Sequence, residues 1–241
     1  MSKEEIYTIP ILDAFNADCE CPFCHLSDGL EKDTIDFVLG PSYMDIGIRD
    51  LTNTFGFCPT HYARLFNEKN RLGMALILET HMKKVRQDLE ATWMKPHQQK
   101  RFKIGKHTAL NPVKDFTDTL VQHCYICNRL QDFLDRYMDT FFYLWKKDPS
   151  FRVLFSDSKG FCIKHFGQLY DIGERVLKDK DFQDFKAGLI LIQQTNFDRV
   201  IEDLEWFITK FDYRFENESW KQSKDAVSRS IQKLSGLSLK P

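Results

Sequence analysis

Cys21-Pro22-Phe23-Cys24 and Gly56-Phe57-Cys58-Pro59-Thr60-His61 return later in the chain as Cys124-Tyr125-Ile126-Cys127 and Gly160-Phe161-Cys162-Ile163-Lys164-His165. Each pattern is a pair of potential metal ligands three residues apart. Thiolates and a neutral imidazole, delivered as two short-spaced pairs, are what a tetrahedral zinc site uses. Of the seven cysteines, six fall in these pairs, leaving Cys19 over. The expected metal ligands are Cys21, Cys24, Cys58 and His61 in one set, and Cys124, Cys127, Cys162 and His165 in the other, with two zinc ions per chain.

Working outward, the CxxC pairs are offset by 103 residues and the CxxH pairs by 104. Further on, Thr80-x-x-x-x-Val85-x-x-Asp88-Leu89-Glu90 matches Thr195-x-x-x-x-Val200-x-x-Asp203-Leu204-Glu205. Ligands, spacing and a following segment all repeat, the signature of a tandem duplication. Residues 1–94 read as a first helical zinc repeat, 95–114 as a basic linker, 115–215 as a second repeat and 216–241 as a C-terminal helix or tail.

Apolar positions recur at helical spacing and nowhere alternate for long, so the expected class is all-α: two related helical repeats, each clamped by its own Cys3His site, plus a C-terminal helix. Helices are expected from Pro22 to before Gly40-Pro41, from Cys58-Pro59, and over about Leu72 to Trp93. The last carries a stripe of Ala75, Leu78, Met82, Val85, Leu89 and Trp93, expected to face the core, with Ile190, Phe197, Val200, Leu204, Ile208 and Phe211 as its counterpart. Phe141-Phe142-Tyr143-Leu144-Trp145 covers more than a full turn, so its helix is expected to be buried on all sides, the alternative being that part of it meets another subunit or a partner. In the tail, Val227, Ile231, Leu234 and Leu237 predict an amphipathic helix docked on the body.

Each ligand pair is expected to open a helix, where free N–H groups and the helix dipole favour a thiolate. The 33 or 34 residues between pairs exceed finger spacing, so the sites should clamp helices and not form DNA-reading modules. Closed four-ligand coordination speaks against zinc hydrolysis, because catalytic zinc keeps a position for water. A CxxC alone also suits a thioredoxin-like redox pair, but the accompanying βαβ pattern is missing. His25, His81, His97, His107 and His123 read as surface or satisfied core groups. The sequence contains no P-loop, GxGxxG, GxSxG or HExxH pattern.

A net charge of -1 supplies no global field toward nucleic acid or anionic membranes. Lys95, Lys100, Arg101, Lys103, Lys106 and Lys114 in the linker read as a solvated connector. No apolar run approaches the ~18 residues of a membrane span, and the start lacks a signal-peptide core, so the expectation is cytoplasmic. These observations leave room for a protein partner and argue against membrane or nucleic acid. The stretch Gly40 to Phe55 reads as an irregular loop offering Tyr43, Met44, Arg49 and Asn53 to a partner, or equally as an ordered cap over the first site. The function expected is binding or scaffolding. The alternatives are a thiol or metal-responsive regulator and an enzyme with an unrecognised pocket.

With Cys21-Pro22-x-Cys24, both Gly-Phe-Cys-x-x-His segments, Leu72-Gly73-x-Ala75-Leu76, Arg136-Tyr137-Met138, Phe211-Asp212-Tyr213-Arg214 and Lys224-Asp225-Ala226 in view, the chain resembles an uncharacterised bacterial family, domain-of-unknown-function family 6062, seen mostly in Firmicutes. The resemblance runs along nearly the whole length, without departure at the eight ligand positions. It implies a cytoplasmic bacterial protein and no particular activity.

Overall fold

A computed structural model describes residues 5–94 and 111–239. Among them the structure is all-α, with no strand: α1 (Glu5–Asn16), α2 (Pro22–Leu39), α3 (Ile46–Phe55), α4 (Pro59–Asn67), α5 (Arg71–Trp93), α6 (Pro112–Gln122), α7 (Tyr125–Lys147), α8 (Pro149–Asp157), α9 (Ile163–Val176), α10 (Asp179–Thr209) and α11 (Ala226–Ser235). The starts expected at Pro22 and Pro59 are where helices begin, each with proline in the first turn, where its missing N–H costs nothing. The linker residues Lys95 to Lys106, with His97 and His107, lie outside the described residues. Lys114 belongs to α6, which Asn111 caps by accepting from the N–H groups of Val113 and Lys114.

The chain forms two compact units, one of Met1–Gly29 with Phe133–Pro241 and one of Leu30–Asp132; the divisions fall within α2 and α7. The first unit is built on aromatic rings. Phe141 is fully buried, and its ring lies 5.0 to 6.1 Å from those of Phe15, Phe23, Phe142, Phe151, Phe155 and Phe185. Most of these pairs are edge-to-face, the arrangement the ring quadrupole favours. All-round burial holds for Phe141, Phe142, Leu144 and Trp145, while Tyr143 remains 42% exposed.

The second unit has an aliphatic core. Ile35, Val38 and Leu39 of α2 pack with Leu65 of α4, Met74 and Ile77 of α5, and Ile126 at the start of α7. Here the expected core stripe of α5 is displaced. Met82 is 68% and Trp93 57% exposed, whereas Gly73, Met74, Ile77 and His81 are buried. Leu78 does pack against the core, but Met82, Val85, Leu89 and Trp93 instead line an open groove of about 330 Å³ with His81 and Arg86 of α5 and Leu120 of α6. A helix of 23 residues meets different neighbours along its length, so no single periodic face describes it. The counterpart on α10 departs likewise: Phe182, Phe185, Leu189, Ile192 and Val200 are buried, and Ile208 and Phe211 are exposed.

Gly40 to Phe55 is not an irregular loop. A 3-10 turn over Pro41–Met44 leads to Asp45, whose carboxylate caps α3 by accepting from the Ile48 N–H at 2.9 Å. α3 then packs on α5. His81 of α5 is a satisfied core group, its Nδ1 2.9 Å from the Asn53 carbonyl. The tail helix exists as α11, but Val227, Leu234 and Leu237 are exposed, and the face it buries carries Ala226 and Lys233. Lys233 is hydrogen-bonded at its tip, so a charged residue is buried while its neighbour Leu234, which periodicity assigns to the core, is exposed.

Candidate metal centres

All eight candidate ligand residues come together, in two clusters of four, but the partnership is crossed. Cys21 and Cys24 meet Cys162 and His165; Cys58 and His61 meet Cys124 and Cys127. The expectation that each repeat closes its own site is therefore corrected. The CxxC of each repeat joins the CxxH of the other.

Local structure prepares every pair. α2 and α7 open one residue after Cys21 and Cys124. Cys58 and Cys162 are the N-cap residues of α4 and α9, with nearly superposable backbone angles of φ -72°, ψ 164° and φ -71°, ψ 160°. The second ligand of each pair follows one turn later. The glycine of each Gly-Phe-Cys segment has positive φ, 55° at Gly56 and 79° at Gly160, a backbone that other residues adopt only with strain. That turn aims Cys58 and Cys162 at the other donors of their clusters. A side-chain amide grips the second copy, as Gln193 accepts from the Phe161 N–H at 3.1 Å and donates to the Phe161 carbonyl at 2.9 Å. In the first copy the Gly56 carbonyl accepts from the Tyr125 N–H at 2.9 Å, which ties the segment to the start of α7.

In the first cluster, His165 Nδ1 lies 3.4 Å from the sulfurs of both Cys21 and Cys24 and 3.2 Å from that of Cys162, and the Cys24 and Cys162 sulfurs are 3.5 Å apart. In the second, His61 Nδ1 is 3.2 Å from the sulfurs of Cys58 and Cys124 and 3.4 Å from that of Cys127; the Cys58 and Cys127 sulfurs are 3.9 Å apart. A tetrahedral ion with ordinary zinc–sulfur and zinc–nitrogen bonds separates its donors by about 3.8 Å between sulfurs and about 3.6 Å between sulfur and nitrogen. The observed spacings come within a few tenths of an ångström of that. Both donor sets fit a single four-coordinate ion.

Ionisation points the same way. Burial and the hydrogen bond with Cys162 push Cys21 up to about 12, and Cys24 is raised chiefly by its bonds to Cys162 and Cys21, while Cys162, accepting from both, is held far down. In the second cluster burial and the charge on Cys124 push Cys127 up to about 12. Cys124 goes the other way: against its burial, the hydrogen bond with His61 draws it down to about 6. His61, against its own burial, rises to about 10 through Cys124 and Glu31. Each cluster thus favours one thiolate and opposes the next. A cation held among the sulfurs would reverse that repulsion and allow three thiolates at these separations.

The surroundings differ. His61 Nε2 lies 2.8 Å from Glu31 Oε1, and Arg64 pairs with the other carboxylate oxygen at 2.5 Å. A carboxylate on the second ring nitrogen fixes the tautomer that leaves Nδ1 free to ligate. The hydrogen bond from His61 holds the Glu31 carboxyl below the usual range. Around the first cluster the charged neighbour is a cation. Lys233, 2% exposed, donates to the Glu20 carbonyl at 2.7 Å and to the Lys159 carbonyl, and pairs with Glu20 Oε2 at 3.1 Å; Arg199 pairs with the same Glu20 oxygen at 2.6 Å. None of Glu31, Arg64, Glu20 or Lys233 is legible as a site residue from sequence, because none stands at ligand spacing.

The model of a Family of unknown function (DUF6062) matches residues 1–240. The chain belongs to that family. Beside DUF6062 membership, the chain is similar to a protein titled "Uncharacterized 23.9 kDa protein in xynA 3'region" from Caldicellulosiruptor sp. (strain Rt8B.4), 25% identical over 204 residues that cover 85% of this chain and 88% of that protein. The source of that relative agrees with the bacterial resemblance of the sequence. No solved structure matches. Among the described residues no helix is long and apolar enough to cross a membrane.

Proposed function

We propose that the chain is a zinc-stabilised helical binding or scaffolding protein of the cytoplasm, holding two structural zinc ions and offering its helical surface to a protein partner. The observation that carries this reading is the closure of both clusters: four donors each, all placed at helix starts, with no fifth protein group called for. Cys21, Cys24, Cys162 and His165 hold one ion; Cys58, His61, Cys124 and Cys127 hold the other. Zinc suits this donor set because it takes thiolate and imidazole in a tetrahedron without a preference of its own for another geometry. When bound, the ion supplies electrostatic cross-linking between helices distant in sequence. The chain's own residues shape and orient the donors. The duplication, with repeats over 1–94 and 115–215 joined by 95–114 and followed by 216–241, accounts for two sites of identical composition.

Elemental analysis of protein purified under reducing conditions, without added metal or chelator, tests the reading. Two zinc ions per chain are expected, together with loss of helical signal when both are stripped. A fully helical, metal-free protein with reduced thiols would overturn it.

A further inference from the structure

The two clusters share a composition and differ in what covers them. All four ligands of the first are buried. α11 closes it: Gly236, at φ 78°, ends that helix so close that a Cβ there would meet the Cys162 sulfur at 3.4 Å and the Cys24 sulfur at 3.5 Å. Three residues earlier, buried Lys233 binds the backbone on both sides of the site, at Glu20 beside Cys21 and at Lys159 before Gly160. In the second cluster His61 and Cys124 are buried, but Cys58 is only half-buried and Cys127 is exposed. The edge between the Cys58 and Cys127 sulfurs, 3.9 Å long, is therefore the accessible edge of that tetrahedron.

We propose that the Cys58–Cys127 edge is a modification site for oxidants of the peroxide class, so that the second site gives up its ion reversibly while the first keeps its own. This rests on the metal reading above. A metal-held thiolate remains a nucleophile, and what limits its reaction is access. The Cys127 sulfur attacks one peroxide oxygen: an S–O bond forms, the O–O bond breaks, and hydroxide leaves, giving a sulfenic acid. The Cys58 sulfur then attacks that sulfur: the S–S bond forms, the S–O bond breaks, and a second hydroxide leaves. Two thiolates lose two electrons in all, and one peroxide gains them. Two of the four donors are then removed from the site. A thiol reductant reverses the step by exchange.

The test uses full-length, two-zinc protein treated with one equivalent of hydrogen peroxide, with ion count by native mass spectrometry and thiol state by peptide mapping. One ion of the two is expected to leave, with a Cys58–Cys127 disulfide formed and Cys21, Cys24 and Cys162 still reduced; dithiothreitol and zinc should restore the second ion. Cys127→Ser is expected to start with one tightly held ion and to lose none to the same dose. Loss of both ions together, a disulfide that omits Cys58 or Cys127, or release of one ion from the first cluster would overturn the proposal while leaving the metal reading intact. Protein that carries no metal at the outset would overturn the metal reading itself, and this inference with it.

Discussion

Two double variants separate crossed pairing from pairing within a repeat. Cys24→Ser with Cys162→Ser removes two donors from one cluster and none from the other; Cys24→Ser with Cys58→Ser removes one from each. In the crossed arrangement the first variant keeps one tightly bound ion and the second keeps none. Pairing within a repeat gives the reverse. Both variants lose the same number of thiols, so any general cost of replacing two cysteines is common to them. The energetic contrast is also large. A structural zinc contributes an apparent ~10–16 kcal/mol in finger peptides, comparable with the ~5–15 kcal/mol stability of a domain. The first variant should therefore keep the helical structure around Cys58 and Cys127, and the second should lose most of its helical signal. Ions are counted by native mass spectrometry in the presence of a competing chelator, and helicity by circular dichroism. One ion in Cys24→Ser with Cys58→Ser, and none in Cys24→Ser with Cys162→Ser, would refute the crossed assignment.

Glu31→Gln removes the carboxylate from His61 Nε2 and should weaken the second site by about 10- to 100-fold, leaving the first unchanged in a chelator titration. Phe141→Ala empties the centre of the aromatic cluster, where the ring meets six others, and should cost about 3–5 kcal/mol in denaturant unfolding of the metal-loaded protein; a loss below about 1 kcal/mol would show that the cavity refills. Gly160→Ala forces a side chain onto a backbone at φ 79°, with the new Cβ 3.2 Å from Gln193 Oε1. It should destabilise by more than the ~1 kcal/mol that Gly→Ala changes at compatible positions gain, and with opposite sign, read as a lowered thermal midpoint.

Much of this protein was legible in its chain because the informative signals are local. Proline after Cys21 and Cys58 marks helix starts, the glycine of Gly-Phe-Cys marks a turn, and a ligand three residues on lies one helical turn away; none of these depends on what packs nearby. The all-α class and the eight candidate donors follow from such signals. Partnership does not. Duplication makes the two CxxC pairs interchangeable, and likewise the two CxxH pairs, so either pairing satisfies the same composition, and chain spacing carries no term that favours one. Contacts between elements distant in sequence decide it: Phe23 against Phe161 and His165 in one cluster, and Tyr125 hydrogen-bonded to Gly56 in the other. The same holds for the stripe on α5, most of which lines a groove, for the buried face of α11, set by Lys233 and its carbonyl partners, and for the exposure that distinguishes Cys127 from Cys24. Periodicity reports that a helix has an apolar face. Only neighbours brought in from elsewhere in the chain determine which atoms that face covers, and so which of two chemically identical sites is closed to solvent.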